Sequence, residues 1–105
     1  MEFVETSIFT SQLKRLLPDK EYRGLQLALV LRPEQGAVIP GGGGLRKLRW
    51  KQRRTGKRAG LRVIYYWVTA EETIYMLFLY RKTQQSDLTK DQITVLRRLV
   101  QEEFK

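Results

Sequence analysis

Nine basic residues, Arg46, Lys47, Arg49, Lys51, Arg53, Arg54, Lys57, Arg58 and Arg62, crowd into one stretch of this chain, and no acidic residue stands between Glu34 and Glu71. A run of that density raises the local potential enough to capture a polyanion, and a formal net charge of +9 on 105 residues agrees with it. RNA is the leading candidate. A basic run by itself is more often a solvated loop, so the types of residue that are missing matter as much. There is no histidine, which removes the usual neutral-pH acid/base group and the commonest nitrogen ligand of zinc. There is no cysteine, which excludes disulfides and thiolate metal sites and suits a reducing compartment. Any catalysis must therefore run on Lys, Arg, Tyr or carboxylates. The carboxylates suggest no metal site, since Asp87 and Asp91 sit at a helix start where caps and the helix dipole favour them anyway. No cofactor and no metal are expected.

Those side chains need a frame. Phe3-Val4-Glu5 reads as a short first strand, after which Thr6 or Ser7 can cap a helix by accepting a backbone N–H bond. Phe9, Leu13, Leu16 and Leu17 recur at helical spacing until Pro18 stops that helix. Asp19 is placed to cap a second helix, with Tyr22, Leu25, Ala28 and Leu29 on one face, up to Arg32-Pro33. The two make a helical hairpin. From Gln35 to Gly44 the composition turns to Pro and Gly, dividing a helical half from a strand half.

Leu45 to Trp50, Leu61 to Val68 and Thr73 to Arg81 read as three strands in series, rich in Val, Ile, Tyr, Trp and Phe. Val63 and Trp67 fall on one side of the middle strand and Ile64 and Tyr66 on the other, so it is covered on both faces and central. Lys51 to Gly60 is too polar for a core and reads as an exposed basic hairpin loop, and Glu71-Glu72 closes the next hairpin. Thr89-Lys90-Asp91-Gln92 has the spacing of a capping box, and Ile93, Leu96, Val100 and Phe104 carry the helix on along one stripe. At this length a single domain over residues 1–105 is expected. The start, MEFVETSIFTSQLKRLL, lacks the basic head and apolar stretch of a secretory signal, and no apolar run approaches the ~20 residues of a membrane helix. The expectation is a cytoplasmic protein that makes no membrane contact.

Gly43-Gly44-Leu45-Arg46-Lys47-Leu48-Arg49-Trp50, then Gly56-Lys57-Arg58-Ala59-Gly60-Leu61-Arg62-Val63-Ile64-Tyr65-Tyr66, then Leu79-Tyr80-Arg81-Lys82 and Asp87-Leu88-Thr89 resemble the HigB branch of the RelE/ParE superfamily of bacterial toxins. The phrase G-K-R-x-G-x-R-V-I-Y-Y is the distinctive part. The resemblance implies an α+β fold, a small antiparallel sheet of about four strands flanked by two N-terminal helices and one C-terminal helix. It implies a type II toxin that cleaves mRNA without metal, working on the ribosome, and is neutralised by an antitoxin with a helix-turn-helix domain. Carried over residue by residue, Arg62 and Lys82 correspond to positions that contact the scissile region. Lys57 and Arg58 match a basic pair suited to phosphate contact, and Arg46, Lys47, Arg49, Lys51, Arg54 and Arg81 complete the expected RNA-binding set. Arg81 and Thr83 depart from the branch, where a small residue and an asparagine are expected.

Metal-free RNA cleavage proceeds by attack of a 2′-hydroxyl on the adjacent phosphorus, and needs a base, a stabiliser of the phosphorane and an acid for the leaving 5′-oxygen. Arginine suits only the second role, because it stays protonated and offers a planar fork of donors. Lysine and tyrosine have reference pKa values near ~10, which neighbouring cations lower, so either a neutral Lys82 or an ionised Tyr80 is available as base. Positioning for in-line attack is the alternative source of rate. Arg62 also has a purely structural reading, paired with Glu5 or Asp87, and Tyr65, Tyr66, Trp67 and Tyr75 read as sheet packing. Two rivals stand beside the RNase: a gyrase poison of the ParE type with no catalytic step, and a nucleic-acid-binding accessory domain. Against the last, no RNA-recognition motif, KH loop or zinc knuckle is visible.

Overall fold

The computed structural model of the chain describes residues 1–51 and 60–103. In order these form β1 (Glu2–Glu5), α1 (Ser7–Leu16), α2 (Asp19–Leu31), β2 (Ala37–Val38), β3 (Arg46–Trp50), β4 (Leu61–Val68), a 3₁₀ turn over Thr69–Glu71, β5 (Thr73–Arg81) and α3 (Lys90–Glu103). The class is α+β. The sheet has five strands in the order β1-β5-β4-β3-β2, all neighbours antiparallel except β1 with β5, which run parallel. β2, a two-residue edge strand, is the element that the sequence did not announce.

β4 shows why the sheet is covered twice. Its Leu61, Val63 and Tyr65 join Phe9, Leu13, Leu25 and Leu29 in the core beneath α1 and α2. Ile64 of the same strand joins Leu77, Leu96 and Val100 beneath α3, with Tyr66 and Ile93 packed against them. Period-two alternation divides one apolar run between two cores.

Local chemistry fixes the ends of the helices. Thr6 caps α1, its hydroxyl accepting the Phe9 N–H at 3.1 Å. The capping box at α3 forms in both directions: Gln92 N–H donates to Thr89 Oγ1, and Thr89 N–H to Gln92 Oε1, each at 3.0 Å. At α2 the expectation fails by one residue, because the N-cap is Pro18 and Asp19 opens the helix itself without a capping bond. Its carboxylate still lies in the first turn, where the dipole favours it.

One irregularity positions the strand that leads to Lys82. Ile64 pairs with Phe78 but Tyr65 with Met76, so β5 bulges at Leu77, and Leu77 and Phe78 both turn to the α3 side. β1 accompanies β5 only as far as Met76. Beyond it α1 takes over, with the Thr6 hydroxyl donating to Leu77 O at 2.9 Å and the Leu79 N–H donating to Oε1 of buried Gln12 at 2.8 Å. Side chains of a helix thus complete the ladder that a strand leaves open.

Candidate functional site

The register sets a row across the sheet. Arg49 of β3 lies opposite Arg62 of β4, and Arg62 opposite Tyr80 of β5. Two like charges in direct cross-strand apposition oppose folding, so the pair is not there for stability. Arg62 is 8% exposed. Among the described residues its one hydrogen bond runs from Nη1 to Leu61 O at 3.3 Å. Neither expected salt bridge forms: Glu5 accepts instead from the Thr10 and Tyr22 hydroxyls, and Asp87 takes the Lys47 ammonium at 3.0 Å, with the Arg62 charge acting on it from further off.

Beside this row a cleft of ≈ 450 Å³ opens where β3 and β5 end and β4 begins. Arg49, Trp50, Lys51, Gly60, Arg62, Lys82 and Thr83 line it. Lys82 reaches the wall because the β4–β5 ladder continues one step further, its N–H donating to Gly60 O at 3.1 Å. The lining carries four cations and no carboxylate among the described residues. Such a wall can hold phosphate groups and, through the planar donor fork of Arg62, oxygens that gain charge during a reaction.

Tyr80 lies beside Arg62 but is 3% exposed and does not line the cleft. Its hydroxyl has no hydrogen-bond partner among the described residues. Burial first, and the Asp87 charge second, push its pKa up to about 12, with Arg62 pulling the other way. Basic surroundings alone favour an ionised Tyr80, as the sequence leads one to expect; burial outweighs them, and the phenol stays protonated at neutral pH. Asp87 is shifted the opposite way: the Lys47 hydrogen bond, then the Leu88 N–H, hold its carboxyl below the usual value.

The other expected contacts divide. Arg49, Lys51, Arg62 and Lys82 meet at the cleft. Arg46 does not, because its Nη1 donates to Glu34 O and Gly36 O, each at 2.8 Å, and ties β3 to the α2–β2 connection. Lys47 bridges to Asp87 ahead of α3. Arg81 pairs with Leu61, whose side chain faces α1 and α2, so it belongs to the other face. Arg54, Lys57 and Arg58, and with them most of the basic loop, lie outside the described residues, as does Phe104. Trp50 is the lining residue that the sequence pattern does not single out. Alternation assigns it to the α1–α2 side of the sheet, and only its place at the strand's end brings it to the cleft.

Among the described residues no cluster of His, Cys, Asp or Glu could hold a metal ion, and no helix is long and apolar enough to cross a membrane. Residues 10–105 of the chain match the family model described as the RelE toxin of the RelE / RelB toxin-antitoxin system.

Proposed function

The chain belongs to the RelE toxin family, the toxin of a toxin–antitoxin system, and from that premise we propose that it is a metal-independent mRNA endonuclease acting on the ribosome. The observation that carries the reading is the cleft itself: four cations and no described carboxylate in its lining, with Arg62 buried and in salt-bridge contact with no acid among the described residues. A phosphodiester backbone supplies the anion that the site lacks.

In this reading Arg62 neutralises the phosphorane oxygens, and Lys82, an exposed residue of the lining, moves the proton to the leaving 5′-oxygen. Arg49 and Lys51 hold the flanking phosphates. Tyr80, protonated and buried, supports Arg62 from behind rather than serving as base. The attacking 2′-hydroxyl gives up its proton to solvent water, and its attack owes much of its rate to alignment in a charged cleft. The G-K-R-x-G-x-R-V-I-Y-Y phrase between Gly56 and Tyr66 supports assignment to the HigB branch, and with it an antitoxin carrying a helix-turn-helix domain.

Mapping 5′ ends of cellular transcripts after induction tests this. Discrete cuts within coding regions are expected, and should vanish in Arg62→Ala and Lys82→Ala. Intact transcripts accompanied by trapped gyrase cleavage complexes would move the chain to the gyrase-poison class.

A further inference from the structure

Among the described residues Trp50 is the one aromatic side chain in the lining of the cleft, and it stands between two of the cleft's cations, Arg49 and Lys51. Its indole rests against the core beneath α1 and α2. The six-membered ring reaches α2 at Gly24, where an alanine Cβ would lie 3.8 Å from Trp50 Cζ2, an ordinary contact from which any longer side chain would have to start. The ring is thus backed by a helix and half-buried, with the cleft on its open side.

Packing alone does not ask for tryptophan here. Trp50 Nε1 is buried and has no hydrogen-bond partner among the described residues. A buried indole N–H ordinarily finds an acceptor, and one without an acceptor destabilises the fold. Leucine or phenylalanine would cover the same core and bury no donor. What tryptophan adds is the widest flat π-face of any side chain, and in this chain that face borders a cationic cleft. Alternation supplies a second argument. Successive side chains point to opposite faces of a strand, so Trp50 leaves β3 on the side away from Arg49, and both reach the cleft because the strand ends there. A single-stranded nucleic acid is divided the same way, with phosphates to one side of its ribose chain and bases to the other.

We propose that Trp50 is a stacking platform for one unpaired nucleobase of the bound RNA, beside the phosphates held by Arg49 and Lys51, and that it restricts the substrate to single strands and favours a purine at that position. The inference rests on the nuclease reading above. Paired bases are already stacked on one another and show only their edges in the grooves, so a duplex has no face to offer. A purine is favoured because two fused rings cover more of the indole, a modest preference that comes from stacking strength rather than hydrogen-bond readout. A protein ligand would bring side chains to the indole but no row of phosphates to the cations on either side of it.

The test measures binding of the full-length chain to a single-stranded RNA oligonucleotide carrying 2′-O-methyl groups, which lacks the attacking hydroxyl and stays intact, beside cleavage of messages on ribosomes. Trp50→Leu keeps the core covered and removes the π-face. It should weaken binding about tenfold or more, with the slope of log affinity against log salt unchanged because no phosphate contact is lost. Trp50→Phe should recover part of the loss. A single abasic site moved along the oligonucleotide should, at one position, cost the parent chain the same factor and cost Trp50→Leu nothing further, the coupling expected of groups in contact. One arm leaves Trp50 untouched. With Trp67→Phe in place Trp50 is the only tryptophan, and its fluorescence should be quenched by the intact oligonucleotide but not by the one abasic at that position. Costs that add in full at every position, or an indole that no oligonucleotide quenches, overturn the proposal and leave Trp50 a packing residue. Equal affinity of the parent and a folded Trp50→Leu overturns it as well. A parent chain that shows the coupling but cuts no message keeps the platform and sinks the nuclease reading alone, and one that cuts messages without the coupling does the reverse.

Discussion

Arg62 illustrates a residue whose position makes sense only in relation to something that binds it. A guanidinium 8% exposed, facing Arg49 across the ladder and bonded among the described residues only to its neighbour's carbonyl, costs the fold stability. Arg62→Leu is therefore expected to raise the melting temperature, by roughly 4–8 °C for each ~1 kcal/mol recovered, while cleavage falls roughly 10²- to 10³-fold. A variant that melts earlier would show that Arg62 holds the sheet together. Tyr80 makes the complementary case. Its folded pKa of about 12 exceeds the unfolded value near ~10, so the native state keeps the phenol proton longer and stability falls as pH rises through that interval. Tyr80→Phe should reduce this alkaline loss in pH-dependent melting, though Tyr22, Tyr65 and Tyr75, raised as well, keep part of it. The neutral limb of the pH–rate profile should keep its shape in Tyr80→Phe. A neutral limb that flattens would restore the phenolate as base.

At the scale of elements, the cleft depends on how β5 is held once β1 stops at Met76. Gln12→Leu preserves the volume beneath the strand but leaves the buried Leu79 N–H without its acceptor, a loss of about 1–3 kcal/mol. Hydrogen exchange at the Leu79 amide should accelerate accordingly, and an unchanged rate would show that the ladder does not need α1. Asp87 holds β3 to the start of α3 through Lys47, with its carboxyl pKa lowered. A lowered folded pKa adds stability above the usual carboxyl value of ~3.9 and loses it as pH falls through the folded one, so Asp87→Asn should blunt acid sensitivity in that window. The sequence displayed much of this frame. β4 and β5 follow the runs of Val, Ile, Tyr and Trp from Leu61 and Thr73 to their last residues, and the Thr89–Gln92 box marks the start of α3. Elsewhere the local signal was silent. Ala37-Val38 is too short to show a period, and in an unbroken apolar run from Ile74 to Tyr80 a bulge at Leu77 changes no pattern. Arg46 and Arg49 look alike in a basic run, yet one serves backbone carbonyls and the other the cleft, a difference that only the strand register creates.

For the whole molecule, that same difference decides how a net charge of +9 is used. Total charge draws any polyanion at long range, but only cations that displace counterions from phosphates contribute to the salt slope of binding, about 0.7 per contact on a single strand. Arg49 lines the cleft and Arg46 is bound to Glu34 O and Gly36 O. Both substitutions to glutamine lower the net charge equally, so a purely global effect predicts identical behaviour. The structure predicts divergence instead. Arg49→Gln should flatten the slope of log affinity against log salt by about 0.7 and leave the melting temperature unchanged or higher, since it relieves the apposition with Arg62. Arg46→Gln should leave the slope as it is and lower the melting temperature, because two backbone carbonyls lose their shared donor. Fluorescence anisotropy with a single-stranded RNA oligonucleotide over a salt series, beside thermal melts, separates the two. Equal changes of slope in both variants would mean that the chain binds by its overall field and that the cleft has no special hold on the backbone.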